Sequence, residues 1–466
     1  MKRSLIVLYT LIGITSLVSF LVCAFYEKGL YAVVSILPLS FFLSFMLVLR
    51  RIPLNKNILI SYFIILAYSW LRMTILPVLS MFQGLYADAD IFLFRKAILL
   101  IFLEQSVISI LILYFSNKYQ NESILRVRRK ITLNGNKIVY ISFILMSLIV
   151  YLIWGRNLNT FDFIVKPVLE AERSGDITDF RSLIIYQISS SGMLFVFLYA
   201  VEFLRKQYQK TRDAKYVNIS IFLALILVSI IVGERRSSQV YVAFASIWML
   251  TRLFPVNSKK IVRYIAFTTL VVLLMMTIYK QLNAFLYSSY AVALENSDLL
   301  TVVSANMLDA YFFGLKTIMK NIEFADTHFL SFSVFFNDIF RNIFGINNLS
   351  GTNELTTTQL YNSSLYSGDQ LSGYLYSSIA YGYTYFGILF APMATGLNVL
   401  VVFWLEKELK RCRSIEMTYI LAYVFMRFAF GLFGSFGPLL NFSSRFIIIN
   451  GGLFYIALLI NKSKKY

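Results

Sequence analysis

Cysteine, histidine and charge are all scarce in this chain of 466 residues. It has two Cys and one His, and only 14% of its residues are charged. Cys23 stands near the end of the first apolar run and Cys412 in a basic loop. On the topology argued below they lie on opposite sides of a membrane and cannot pair. One His and two distant Cys exclude a His/Cys metal cluster, and neither a metal nor a cofactor is expected. A Walker loop, a dinucleotide-binding glycine fingerprint and a Gly-x-Ser-x-Gly elbow are all missing. Their absence removes the usual support for ATP-driven transport and serine-hydrolase chemistry. There is no room for a separate soluble domain, so the sequence reads as one membrane domain, 1–466.

What the chain has is apolar length. Hydrophobic residues make up 58% of it, and a helix needs about 20 of them in succession to cross a hydrocarbon core. Twelve stretches qualify: 4–26, 29–49, 57–82, 95–116, 138–155, 182–203, 217–233, 239–254, 264–280, 376–403, 415–433 and 444–461. The expected fold is all-α, a polytopic integral membrane protein of about 12 transmembrane helices. Alternate loops from the N-terminus carry 27 of the 43 Lys and Arg. Basic loops stay cytoplasmic, so both termini are placed in the cytoplasm. The formal charge of +19 is then mostly a topology signal, and no nucleic-acid partner is expected. Met1-Lys2-Arg3 before a long apolar run resembles a signal peptide, but no small-x-small cleavage site follows. The first helix is read as an uncleaved anchor.

Two extracytoplasmic segments are long, 156–181 and 281–375, and loops of such length are usually functional. Within the larger one, 308–323 and 329–344 are aromatic-rich and read as amphipathic or re-entrant helices on the outer membrane surface. Segment 347–373 is rich in Asn, Ser, Thr and Tyr, which suits either a sugar-facing loop or an ordinary solvated one.

Charges inside the apolar runs call for partners. Arg72 lies ten residues before Phe82, and Glu104 nine residues after Arg95. At about 1.5 Å per residue both sit roughly 14–15 Å below the outer surface, level with each other on adjacent antiparallel helices. They read as a structural ion pair, or Arg72 meets an anionic ligand in an outward cavity. Arg235 and Arg236 occupy an outer turn where positive charge is disfavoured. They suit an anion site at a helix start, or snorkelling towards lipid phosphate. Arg156, Arg173, Arg181, Arg341 and Arg445 are further outer-face arginines. His328, the lone histidine, is a candidate general base or an ordinary loop residue, with Asp309, Asp326 and Asp338 as other bases.

Ser377-Ser378-Ile379-Ala380-Tyr381-Gly382-Tyr383-Thr384-Tyr385-Phe386-Gly387-Ile388-Leu389, followed by Gly396, resembles the Glu-x-Tyr-x-Asn-Phe-Gly-x-x-Gly stretch that closes the large outer loop in the O-antigen polymerase (Wzy) family, the oligosaccharide repeat unit polymerases. Tyr385 and Phe390 stand where that stretch has Asn and the second Gly. The turn at 233–237, Arg72 with Pro77, and Glu104 also fit. The resemblance implies a fold like the GT-C-type membrane glycosyltransferases, in the bacterial cytoplasmic (inner) membrane. It implies polysaccharide biosynthesis for the cell envelope, as lipopolysaccharide O-antigen or capsule: a growing glycan leaves undecaprenyl-pyrophosphate for a lipid-linked repeat unit at the outer face. Arg235, Arg236 and His328 would be catalytic, and Arg72, Arg156, Arg173, Arg341, Tyr383 and Arg445 would bind substrate. Membrane lipids, a chain-length regulator and a flippase of the same pathway are the implied partners. The alternatives are an O-antigen ligase and a polysaccharide flippase or exporter.

Overall fold

The computed structural model describes residues 2–26, 30–51, 60–87, 89–120, 131–155, 180–229, 236–281, 292, 295, 304–346, 355–366 and 374–463. These residues are almost all helical and contain no strand, only two isolated bridges. Among them eight helices are long and apolar enough to cross a membrane: Ile6–Phe25, Ala32–Arg51, Ile60–Phe82, Ile91–Lys118, Lys137–Gly155, Ile184–Thr211, Pro255–Thr277 and Phe436–Ser463. The chain is therefore a multi-pass membrane protein. The expected spans 217–233, 239–254 and 415–433 correspond to the shorter helices Lys215–Ser229, Arg236–Leu253 and Ile415–Phe430.

The expected span 376–403 is different in kind. Helices Ser378–Phe390 and Pro392–Arg411 meet at 114°. Gly387 breaks the helical path with φ +72°, a conformation that costs an L side chain dearly. Pro392 follows, and it cannot donate to a continuing helix. Gly382 lets the turn close, because a Cβ there would run into the backbone carbonyl of Ala391.

The chain divides into two compact units. The first comprises 1–126, 303–407 and 427–445. Here a π-helical turn, Leu71–Ile75, interrupts the third span just before Pro77, whose missing N–H leaves the carbonyl of Met73 without its ordinary helical donor. Four shorter helices follow in the long loop: Ala305–Phe312, Leu315–Thr327, Phe332–Arg341 and Thr357–Leu365. The aromatic stretch expected as one helix over 308–323 is split by Phe313, at φ 51°, and by Gly314. The polar stretch 347–373 contains a helix with a full capping box, Thr356 with Gln359. Its buried Asn362 accepts from the N–H of Tyr374 at 2.7 Å and donates to the Tyr374 carbonyl at 3.0 Å. Residues 347–354 and 367–373 of that stretch lie outside the described ones.

The second unit comprises 127–302, 408–426 and 446–466. Its fully buried Glu416 fixes a turn by accepting from the backbone N–H groups of Asn134 and Gly135 (3.0 and 2.9 Å) and the Tyr140 hydroxyl (2.8 Å). Asn136 caps the helix that follows, accepting from Ile138 N–H. Arg252 donates to the carbonyls of Leu409 and Cys412, so part of the basic-loop charge is spent on the carbonyls at a helix C-terminus.

Candidate functional site

The first unit gathers its chemistry around the loop helices. Deepest is Arg72, 3% exposed, whose Nη1 lies 2.5 Å from Oε2 of Glu104, itself 1% exposed. The other Glu104 oxygen accepts from the Thr395 hydroxyl. Arg72 Nε donates to the Phe313 carbonyl at 2.8 Å, and the guanidinium lies over the Phe433 ring at 4.2 Å. Its Nη2 finds no hydrogen-bond partner among the described residues. The turn that offers the Phe313 carbonyl is held by Asp309. Its carboxylate accepts from the N–H and hydroxyl of Thr317, both at 2.7 Å, and from Lys316 N–H at 3.2 Å. Burial nonetheless pushes the Asp309 carboxyl above the ordinary carboxylate range. One ion pair thus ties together the third and fourth spans, the bent helix pair and the loop.

Nearer the surface, Lys96 donates to both oxygens of Asp326, at 2.9 and 2.7 Å, and Tyr383 donates to Asp326 Oδ1 at 2.5 Å. The ammonium also lies 4.5 Å from the centre of the Tyr383 ring. Asp326 and Lys96 keep 37% and 24% of their side-chain surface in contact with the surroundings. His328 is two residues further on and exposed. Its ring stacks on Phe324, and Nδ1 lies within hydrogen-bond distance of the Thr327 hydroxyl and the Phe324 carbonyl. Asp, Lys, Tyr and His groups therefore line one exposed edge.

Between these two lies a hydroxyl-rich aromatic core of Phe324, Tyr361, Tyr376, Tyr381 and Tyr385. Tyr376 shares a 2.8 Å hydrogen bond with Thr384 and donates to the Asn321 carbonyl. Burial lifts the Tyr361 phenol to about 12. Asp338, 3% exposed, accepts from Thr357 N–H at 2.9 Å and from its hydroxyl at 2.5 Å, and that hydroxyl also meets Tyr385 at 2.6 Å. Burial raises the Asp338 carboxyl as well. One turn later Asn342 contacts Asn441, which accepts from Arg445 at 3.1 Å. The guanidiniums of Arg427 and Arg445 lie 4.2 and 5.5 Å from the centre of the same ring, Phe442.

Of the sequence candidates, the structure brings Arg72 to Glu104, Tyr383 to Asp326 beside His328, and Arg445 to the loop residue Asn342 through Asn441. Arg341 is half-buried at the end of the Phe332–Arg341 helix, and Arg181 is exposed. Arg156, Arg173 and Arg235 lie outside the described residues; Arg236 begins the helix Arg236–Leu253, but its side chain lies outside them. Sequence reasoning missed Lys96 and Arg427. Arg427 carried the same signal as Arg72, a charge within an apolar run. An Asp-x-Asp run, Asp88-Ala89-Asp90, has carboxylate spacing suited to a metal. Asp90 instead accepts from Phe92 N–H at 2.8 Å, at the start of a helix, and Asp88 is not among the described residues. No group of three or more potential ligands gathers among the described residues. Comparison with protein-family profiles, with curated proteins and with solved structures finds no match.

Proposed function

We propose that this protein is a membrane glycosyltransferase that polymerises lipid-linked oligosaccharide repeat units at the outer face of the bacterial cytoplasmic membrane. The observation that carries the reading is the pair of guanidiniums, Arg427 and Arg445, on the Phe442 ring, with Arg445 tied through Asn441 and Asn342 to the long loop. A guanidinium laid on a ring is held in one plane, and its N–H edge is the fork that recognises phosphate oxygens. The donor in this reaction leaves as a pyrophosphate, and fixed cations stabilise the charge that develops on it. The bond to pyrophosphate drives the transfer, so no ATP site is needed. Amides, hydroxyls and aromatic rings of the loop helices suit sugar hydroxyls and ring faces. Asp326, with its exposed carboxylate edge and His328 beside it, is the group best placed to accept the acceptor hydroxyl's proton.

The test is complementation of a deletion strain with an Arg427→Ala/Arg445→Ala double variant, reading glycan length on a gel. The expected result is loss of polymer with a single repeat unit still displayed. Full-length glycan overturns the assignment of these arginines. Loss of all displayed sugar points to a ligase or an exporter instead.

A further inference from the structure

The helix Phe332–Arg341 carries three different faces. Phe332, Phe336 and Phe340 recur every fourth residue, and they are 54%, 54% and 52% exposed. At 3.6 residues per turn that spacing draws one slowly turning stripe. Asp338 is buried, and Phe335 packs against Tyr381, Tyr385 and Phe386. Ser333, Asn337 and Arg341, also four apart, form the polar third. A helix wholly in water would not keep three phenylalanines half exposed on one side. A helix wholly in hydrocarbon would not carry Ser, Asn and Arg on another.

We infer that this helix lies in the plane of the membrane interface, with the Phe332/Phe336/Phe340 stripe seated in the phospholipid bilayer. The occupant follows from what the stripe joins. The Phe332 ring is 6.2 Å from the ring of Phe386. Phe386 belongs to the helix that runs into the 114° bend, where Leu389 and Phe390 are 74% and 54% exposed. The apolar surface of the loop helix is thus continued by that of a helix pair apolar enough to enter the bilayer. Interfacial helices of this kind bury their apolar face about 5–10 Å into the boundary between headgroups and acyl chains. Arg341, at the end of the polar face, is then placed at the level of lipid phosphate.

The anchor fixes the height of Asp338 and of the loop relative to the membrane, independently of which reaction the protein performs. Its test needs no activity. Cys23 and Cys412 are replaced by Ala, and single cysteines are placed at Phe336, Phe340, Ser333 and Asn337 in the full chain. Each carries a nitroxide, in vesicles of phosphatidylethanolamine and phosphatidylglycerol. Because the Phe positions are exposed, the labels are tolerated, and an unchanged gel-filtration profile checks this. Oxygen partitions into lipid and a nickel chelate into water. The oxygen-to-nickel collision ratio is expected to be several-fold higher at 336 and 340 than at 333 and 337. Equal ratios at all four sites overturn the proposal, since they put the stripe in water. Exclusion of both reagents at 336 and 340 also overturns it, since it means that protein covers the stripe.

Discussion

Arg72 and Glu104 form an ion pair at 2.5 Å with both side chains almost wholly removed from solvent. Such a pair gains little over an apolar one, but breaking it strands a buried charge. Arg72→Met and Glu104→Met are therefore each expected to cost about 3–5 kcal/mol, while the double variant recovers most of the loss. Thermal unfolding in detergent, followed by gel filtration, checks this. Two silent single variants would remove the pair from the list of what holds this unit together.

The sequence makes that pair legible because helix rise converts residue number into depth. Arg72 and Glu104 count to the same level before any coordinate is known. The bend at Gly387 was not legible. A glycine and a proline in an apolar run fit a tilted span as well as a broken one, and only the approach of Gly382 to Ala391 distinguishes them. The split at Phe313 was hidden for a related reason, since a non-glycine residue at positive φ leaves no compositional mark. Lys96 and Asp326 are 230 residues apart, and no spacing rule connects them. Arg427 was readable by the rule applied to Arg72, but only a structure shows the ring that it shares with Arg445.

The two glycines of the bend fail for different reasons, so their variants should rank. Gly387→Ala meets open space and costs the strain of a backbone region that is essentially glycine's alone (φ +72°, ψ −179°), about 1–3 kcal/mol. Gly382→Ala drives a methyl group into backbone and cannot be relieved by a rotamer change. Melting temperature is expected to fall further for Gly382→Ala than for Gly387→Ala. The reverse order would mean that the two helices do not close at Ala391.

Asp338 gives a pH signature of definite sign. Burial raises its carboxyl in the folded protein above the unfolded value near 3.8. The folded state therefore holds its proton more tightly, and this group's contribution to stability declines as pH rises from the unfolded value through the folded one. Asp338→Asn keeps an acceptor for Thr357 N–H and cannot ionise. Subtracting the variant's melting curve from the parent's, between pH 3.5 and 7, isolates the site from other carboxylates. The difference is expected to turn against the parent as pH rises. A flat difference would mean that Asp338 titrates as an ordinary exposed aspartate.

Lys96, Asp326 and Tyr383 separate stability from activity. An ion pair this exposed is worth about 0–1 kcal/mol, so Asp326→Asn should leave the melting temperature nearly unchanged. The same change removes the charge from a partly exposed carboxylate two residues before His328. If Asp326 accepts the proton of an acceptor hydroxyl, glycan polymer should fall by roughly 10²–10⁴-fold in rate, the usual weight of general base catalysis. His328→Ala is the companion variant, since the imidazole is exposed and stacked on Phe324. A normal ladder from Asp326→Asn together with a lost ladder from His328→Ala would transfer the base to the histidine. Normal ladders from both would leave this edge with the purely structural task of holding the loop to the fourth span, through Lys96, and to the bent helix, through Tyr383.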